Sequence, residues 1–190
     1  MHARNVLLLP GWHNSGPDHW QSRWQARHGY TRVEQHDWAR PLRGDWMAQL
    51  EEAVLAADEP AVLVAHSLGC ALVAAWAAHS RQTQRVKAVL LVAPPDTSRD
   101  EVRGPLPSWA SLVRQPLPFG PQRSVVVASS DDPYCEPALS RALASDWRAS
   151  YELWGPLGHI NAESGLGDWP DGHAVLARLM ALDGGKTNDK

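Results

Sequence analysis

The sequence predicts an α/β fold, a sheet of about six mostly parallel strands with helices on both faces. Short β-rich runs alternate along the chain with helix-periodic segments, which is the pattern of strands joined by crossover helices. Three of the runs, 61–64, 88–92 and 124–128, are apolar almost throughout, as expected for strands covered on both faces. A length of 190 residues suits one domain with a sizeable core. We therefore expect a single domain over residues 1–182 and a flexible polar tail over 183–190.

Taken in order, residues 6–9 (Val-Leu-Leu-Leu) read as the first strand. A helix over 18–28 follows, with Trp20 and Trp24 one turn apart. Residues 32–35 form a weak second strand. A helix over 45–57 places Trp46, Met47, Leu50, Ala53, Val54 and Ala57 on one core-facing stripe. The third strand, 61–64, leads to a helix over 68–79 that is apolar almost all round and should be buried. The fourth strand is 88–92. Residues 94–121, rich in Pro and charge, read as a long excursion with a short helix near Trp109, and such excursions are often functional. After the fifth strand, 124–128, Pro137 suits the first turn of a helix reaching about Trp147. A sixth strand over 151–154 and a helix over 171–182, with Val175, Leu176, Leu179 and Met180 on one side, complete the domain. These elements use nearly the whole chain, so no cap domain fits and the pocket should be shallow and open.

Composition narrows the function. With 18 Lys+Arg against 21 Asp+Glu there is no electrostatic case for nucleic acid or an anionic membrane. No apolar stretch approaches a membrane span, and the four apolar residues after Asn5 are too few for a secretory core. Two cysteines, Cys70 and Cys135, make neither a disulfide scaffold nor a zinc cage, so a reduced, cytoplasmic protein is expected. Both read as buried and inert. No H-E-x-x-H or paired Cys-x-x-Cys supports metal catalysis, and no cofactor is implied.

The chemistry concentrates in Val62-Leu63-Val64-Ala65-His66-Ser67-Leu68-Gly69-Cys70. A strand runs into a Ser flanked at two residues' distance by Ala and Gly, and a helix follows at once, as a nucleophile elbow requires. Small residues are needed at 65 and 69 because so tight a turn brings them against neighbouring backbone. Ala65 stands where Gly is usual. Ser67 alone reads equally well as a helix N-cap. Two loops tip the balance. After the fifth strand comes Ser129-Ser130-Asp131-Asp132-Pro133, and after the sixth Gly158-His159-Ile160-Asn161. The order Ser, acid, His is that of the α/β-hydrolase fold, whose loops open on one edge of a parallel sheet. His159 would move the Ser67 proton while a carboxylate orients it. Asp132, stiffened by Pro133, is preferred over Asp131, which reads as a turn residue. The loop Leu9-Pro10-Gly11-Trp12-His13-Asn14-Ser15-Gly16-Pro17 would supply an oxyanion donor, Trp12 N–H, to partner Leu68 N–H. His66 reads as a structural hydrogen-bonding residue. His13 and His19 are minor alternatives overhanging the site, while His2, His28, His36, His79 and His173 read as surface residues.

Pro10-Gly11-Trp12, Ser15-Gly16-Pro17-Asp18-His19-Trp20, Ala65-His66-Ser67-Leu68-Gly69-Cys70, Asp131-Asp132-Pro133 and Gly158-His159-Ile160-Asn161 together resemble the small α/β hydrolases related to retinoblastoma-binding protein nine. Gly165-Leu166-Gly167-Asp168-Trp169-Pro170 extends the resemblance, which spans Val6 to about Met180. It implies a capless hydrolase with Ser67, Asp132 and His159 as its triad. The Ala65 departure is shared with small bacterial lipases carrying Ala-x-Ser-x-Gly.

The expectation is thus a serine hydrolase (carboxylesterase-like) acting on a small-molecule acyl substrate through an acyl-Ser67 intermediate. Alternatives are a hydrolase-fold binding protein and a peptidase with the same triad. The ten Trp residues, against three Tyr and one Phe, add one further expectation. Trp20, Trp24, Trp46 and Trp76 fall on helical stripes, whereas Trp109, Trp154 and Trp169 are candidate substrate-binding pocket walls beside Trp12.

Overall fold

In the computed structural model, which describes residues 2–182, six strands form one sheet. They are β1 (Val6–Leu9), β2 (Thr31–Arg32), β3 (Ala61–His66), β4 (Val86–Val92), β5 (Ser124–Ser129) and β6 (Ser150–Trp154). Their order is β2-β1-β3-β4-β5-β6 and every pairing is parallel. The helices are α1 (Trp20–His28), α2 (Arg43–Ala56), α3 (Leu68–His79), α4 (Asp100–Arg103), α5 (Pro137–Asp146) and α6 (Pro170–Ala181). The predicted tail over 183–190 lies outside the described residues.

Strand alternation sorts the core into two layers, because successive side chains leave a strand on opposite faces. Leu7, Leu9, Leu63, Ala65, Val89, Leu91 and Val126 pack under α2, α3 and α5. Val6, Leu8, Val62, Val64, Leu90, Val125 and Val127 pack on the other face with Trp20 and Trp24 of α1 and Val175, Leu176 and Leu179 of α6. Residues 68–76 of α3 are all buried, as the run Leu-Gly-Cys-Ala-Leu-Val-Ala-Ala-Trp requires.

The weak second strand is shorter and earlier than its apolar signal. Only Thr31 and Arg32 pair, with Leu7 and Leu8 of β1, before a last bond from Val33 N–H to the Leu8 carbonyl at 2.9 Å. The sheet order reverses at β1, whose neighbours are β2 and β3. Beyond the carboxyl ends of β1 and β3 therefore opens the crevice in which ligands of open α/β sheets bind.

Candidate active site

The site begins with two backbone necessities at that crevice. Ser67 leaves β3 with φ 53° and ψ −123°, a left-handed conformation that costs a non-glycine residue about 1–3 kcal/mol. Its N–H donates to the Val92 carbonyl at 2.9 Å, which ties the elbow to β4. Gly69 permits the turn: a Cβ there would stand 2.3 Å from the Leu9 carbonyl oxygen. On the facing loop, a Cβ on Gly11 would meet the Ser67 Cβ at 2.8 Å, so the chain after β1 lies directly against the serine.

Ser67 Oγ stands 2.8 Å from His159 Nε2. His159 Nδ1 lies 2.9 Å from both carboxylate oxygens of Asp132. Serine, imidazole and carboxylate thus form one continuous hydrogen-bonded chain, with His159 and Asp132 buried. Asp132 Oδ1 also accepts the Tyr134 N–H at 2.9 Å. Asp131 takes a different part. Its Oδ1 accepts the Ser129 hydroxyl and the Gly158 N–H, each at 2.8 Å, and these bonds hold its carboxyl below the usual range.

The His159 loop is clamped from three elements. Asp131 holds the Gly158 amide, Trp20 Nε1 donates to the Ile160 carbonyl at 2.8 Å, and His66 Nε2 donates to the His159 carbonyl at 2.9 Å. Burial first, then the neighbouring His19 and His159, pushes the proton affinity of His66 well below the ordinary range. A neutral imidazole that donates from Nε2 leaves Nδ1 bare. His19 is neutral as well, with its pKa pushed down to about 3 by burial, Arg32 and His159. Its Nδ1 accepts the Gln21 N–H and caps α1, so its proton sits on Nε2, where it finds no partner among the described residues.

A cavity of about 410 Å³ opens over the serine. Trp12 and Leu68, the two candidate amide donors, both border it together with Ser67 and His159. The Leu68 N–H opens α3, where a first-turn amide has no intrahelical partner and the helix dipole favours negative charge. Trp12 is held by an Nε1–H bond to the Ala39 carbonyl at 2.9 Å and stacks on His13. His13 and His19 line the same cavity, as their loop position suggests.

The three tryptophans expected as pocket walls lie elsewhere. Trp109 is buried against Trp46 and donates to the Pro41 carbonyl at 2.9 Å, so it anchors the 94–121 excursion. Trp169 packs among Trp20, Trp24 and Trp154, and Trp154 donates to the Glu152 carboxylate at 3.0 Å. Core packing claims Trp109 and Trp169, and a bond from the indole N–H holds Trp109 and Trp154. The excursion instead contributes Pro95, Glu101, Val102 and Leu106, and the acid loop adds Tyr134. Tyr134 follows the Asp-Pro pair directly, but the others have no sequence signal. His28 and His173 are also not simple surface residues. Their rings stack at 4.3 Å, and His173 Nε2 lies 2.9 Å from the Tyr30 hydroxyl.

Both thiols are buried, which pushes Cys70 well up and Cys135 up to about 12, outside the reach of a thiolate nucleophile. Among the described residues no group of three or more His, Cys, Asp or Glu is placed to hold a metal ion, and no helix is long and apolar enough to cross a membrane.

An all-parallel sheet with its serine elbow at the switch point, and no cap domain among the described residues, is an α/β-hydrolase architecture. The family model described as "Serine hydrolase" matches residues 6–178, and the chain belongs to that family. A YdeN-like hydrolase from Pectobacterium atrosepticum is 27% identical, with 92% of this chain and 89% of that one covered and a TM-score of 0.79. The ydeN gene product of B. subtilis is 21% identical over 93% of this chain and 98% of its own, with a TM-score of 0.73. The esterase RhEst1 from Rhodococcus sp. shares the fold at a TM-score of 0.62 and 14% identity, over 93% of this chain and 90% of its own. A search of curated proteins finds no match.

Proposed function

We propose that the protein cleaves small carboxylic esters through an acyl-Ser67 intermediate, with His159 as general base and acid and Asp132 orienting it. The observation that carries this reading is the unbroken chain from Asp132 through His159 to Ser67, with Oγ 2.8 Å from Nε2. Nδ1 faces a carboxylate that accepts its proton in a hydrogen bond, so Nε2 is left free to take the proton of Ser67 as Oγ attacks the acyl carbon. Charge developing on the carbonyl oxygen would be met by the amides of Leu68 and Trp12, and each such donor is worth about 10²–10³ in rate. Val102 and Leu106 offer the acyl group an apolar wall. The elbow strain also fits a nucleophile better than a helix cap, for the Ser67 side chain accepts no capping bond from α3. The likeness to RhEst1, named as an esterase, agrees with the choice of ester chemistry.

The test is labelling with a fluorophosphonate, wild type beside Ser67→Ala, followed by turnover of p-nitrophenyl esters of rising acyl length. Stoichiometric labelling that vanishes in the variant, with ester turnover lost in parallel, is the expected result. An unlabelled wild type, or labelling that survives the substitution, refutes the assignment.

A further inference from the structure

A second concavity, of about 370 Å³, lies along the flank of His159 between the acid loop and the histidine loop. It does not touch Ser67, Trp12 or Leu68, all of which border the larger cavity. Tyr134, His159, Asn161 and Glu163 border both. The Tyr134 ring stands edge-on to the imidazole with centroids 4.6 Å apart, and the residue is 48% exposed.

Acyl transfer gives the two cavities different halves of a substrate. The Oγ–acyl bond forms as the bond from the acyl carbon to the leaving oxygen breaks. The electron pair stays on that oxygen, which takes from His159 Nε2 the proton that Ser67 gave up. The leaving oxygen must therefore sit against His159, while the carbonyl oxygen faces the Leu68 side. His159 and Tyr134 border the smaller cavity as well, so a leaving group held against His159 can extend past Tyr134 into it while the acyl chain occupies the larger one.

The charge around this junction is one-sided. Among the described residues no Lys or Arg borders either cavity. Glu101, on the larger cavity, already faces Arg99 at 3.9 Å. Glu163, at the junction, makes no ion pair among the described residues. Glu163 and the exposed Tyr134 border the same two cavities, and a carboxylate and an aromatic ring that share a cavity favour a cation that pairs with one and stacks on the other.

We propose that the smaller cavity is the leaving-group subsite and that it selects alcohols bearing an ammonium group, held between Glu163 and Tyr134. The proposal rests on the serine-hydrolase reading above and adds the substrate class to it. Butyrylcholine and 3,3-dimethylbutyl butyrate share the acyl group and the shape of the leaving group and differ in its charge. Wild type should favour the choline ester in kcat/KM by about two- to fivefold, the range an exposed charge contact commands. Glu163→Gln should bring that ratio toward one, and Glu163→Lys should invert it. Because Glu163 is exposed, neither variant threatens folding. A wild-type ratio of one or below, a ratio kept in Glu163→Gln, or no turnover of either ester by a protein that cleaves p-nitrophenyl butyrate overturns the proposal. In each case fluorophosphonate labelling of Ser67 shows that the serine-hydrolase reading itself survives, and its absence would refute that reading instead.

Discussion

Asp131 and Asp132 have the same chemistry and adjacent positions, yet their hydrogen bonds separate them. The Asp132 carboxylate faces His159 Nδ1 with both oxygens, while that of Asp131 binds a hydroxyl and a backbone amide at the loop edge. Asp132→Asn puts an amide where the imidazole needs an acceptor, which favours the wrong tautomer. The expected loss in kcat is about 10⁴-fold. Asp131→Asn keeps an oxygen for the Gly158 N–H, so its loss should stay within about tenfold. Steady-state kinetics on one p-nitrophenyl ester compares them, and a larger loss at 131 would reverse the roles. In the sequence Pro133, which stiffens the loop just after residue 132, singled out the carboxylate that lies against His159. The pocket tryptophans were not legible, because a count of indoles carries no information about which face of an element each occupies. Trp109 lies in the right segment but spends its N–H on Pro41, and Val102 and Leu106 of the same segment reach the cavity instead.

Glycines at element junctions show what the elbow demands of its neighbours. Gly69, in the first turn of α3, lets that helix start against the end of β1, and a methyl there would overlap the Leu9 carbonyl oxygen. Gly69→Ala should force the helix off the strand and lower stability by about 1–3 kcal/mol, as overpacking does. In thermal unfolding this is a fall of several degrees. Gly44, in the first turn of α2, has nothing among the described residues within 4 Å of its absent Cβ. Gly44→Ala should instead raise the midpoint by about 1–4 °C, since alanine favours helix and restricts the unfolded chain. If both substitutions shift the midpoint alike, the close approach of α3 and β1 is not what Gly69 serves. The same junctions explain which elements the pattern revealed. β3, β4 and β5 are covered on both faces, so apolar runs mark them. β2 has two paired residues at the sheet edge, too few for periodicity to place. In the excursion the short helical turn over Pro107–Trp109 falls where the sequence placed a short helix near Trp109, whereas its seat on α2, through Arg43 N–H to Ser108 Oγ at 3.3 Å, is a tertiary contact that no local pattern encodes.

Across the whole molecule, the buried neutral histidines make stability depend on pH. His19 has a pKa near 3 when folded against an ordinary value of 6.5, and His66 is shifted in the same direction by burial. His173, half-buried against His28 and Arg27, is also lowered. Between those values the unfolded chain binds more protons than the folded one, so stability rises with pH. It is fully present above about pH 6.5 and is lost on acidification, at about 1.4 kcal/mol per pH unit for His19 between its unfolded value and its folded value near 3, with His66 and His173 adding in the same direction. The carboxylates with lowered pKa, Asp37, Asp131 and Asp168, act only at lower pH, because their ordinary value is 3.8. The interval from pH 6.5 to 4.5 therefore reports the histidines. The unfolding midpoint should fall steeply across it, with protons taken up on unfolding in this range. His19→Asn isolates one term, because asparagine is a good N-cap and keeps an acceptor for the Gln21 N–H. That variant should show a shallower dependence, with about one proton fewer taken up at pH 5. A flat profile in wild type, or an unchanged slope in His19→Asn, would mean that His19 is protonated in the folded protein, and its place beside His66 and His159 would have to be redrawn.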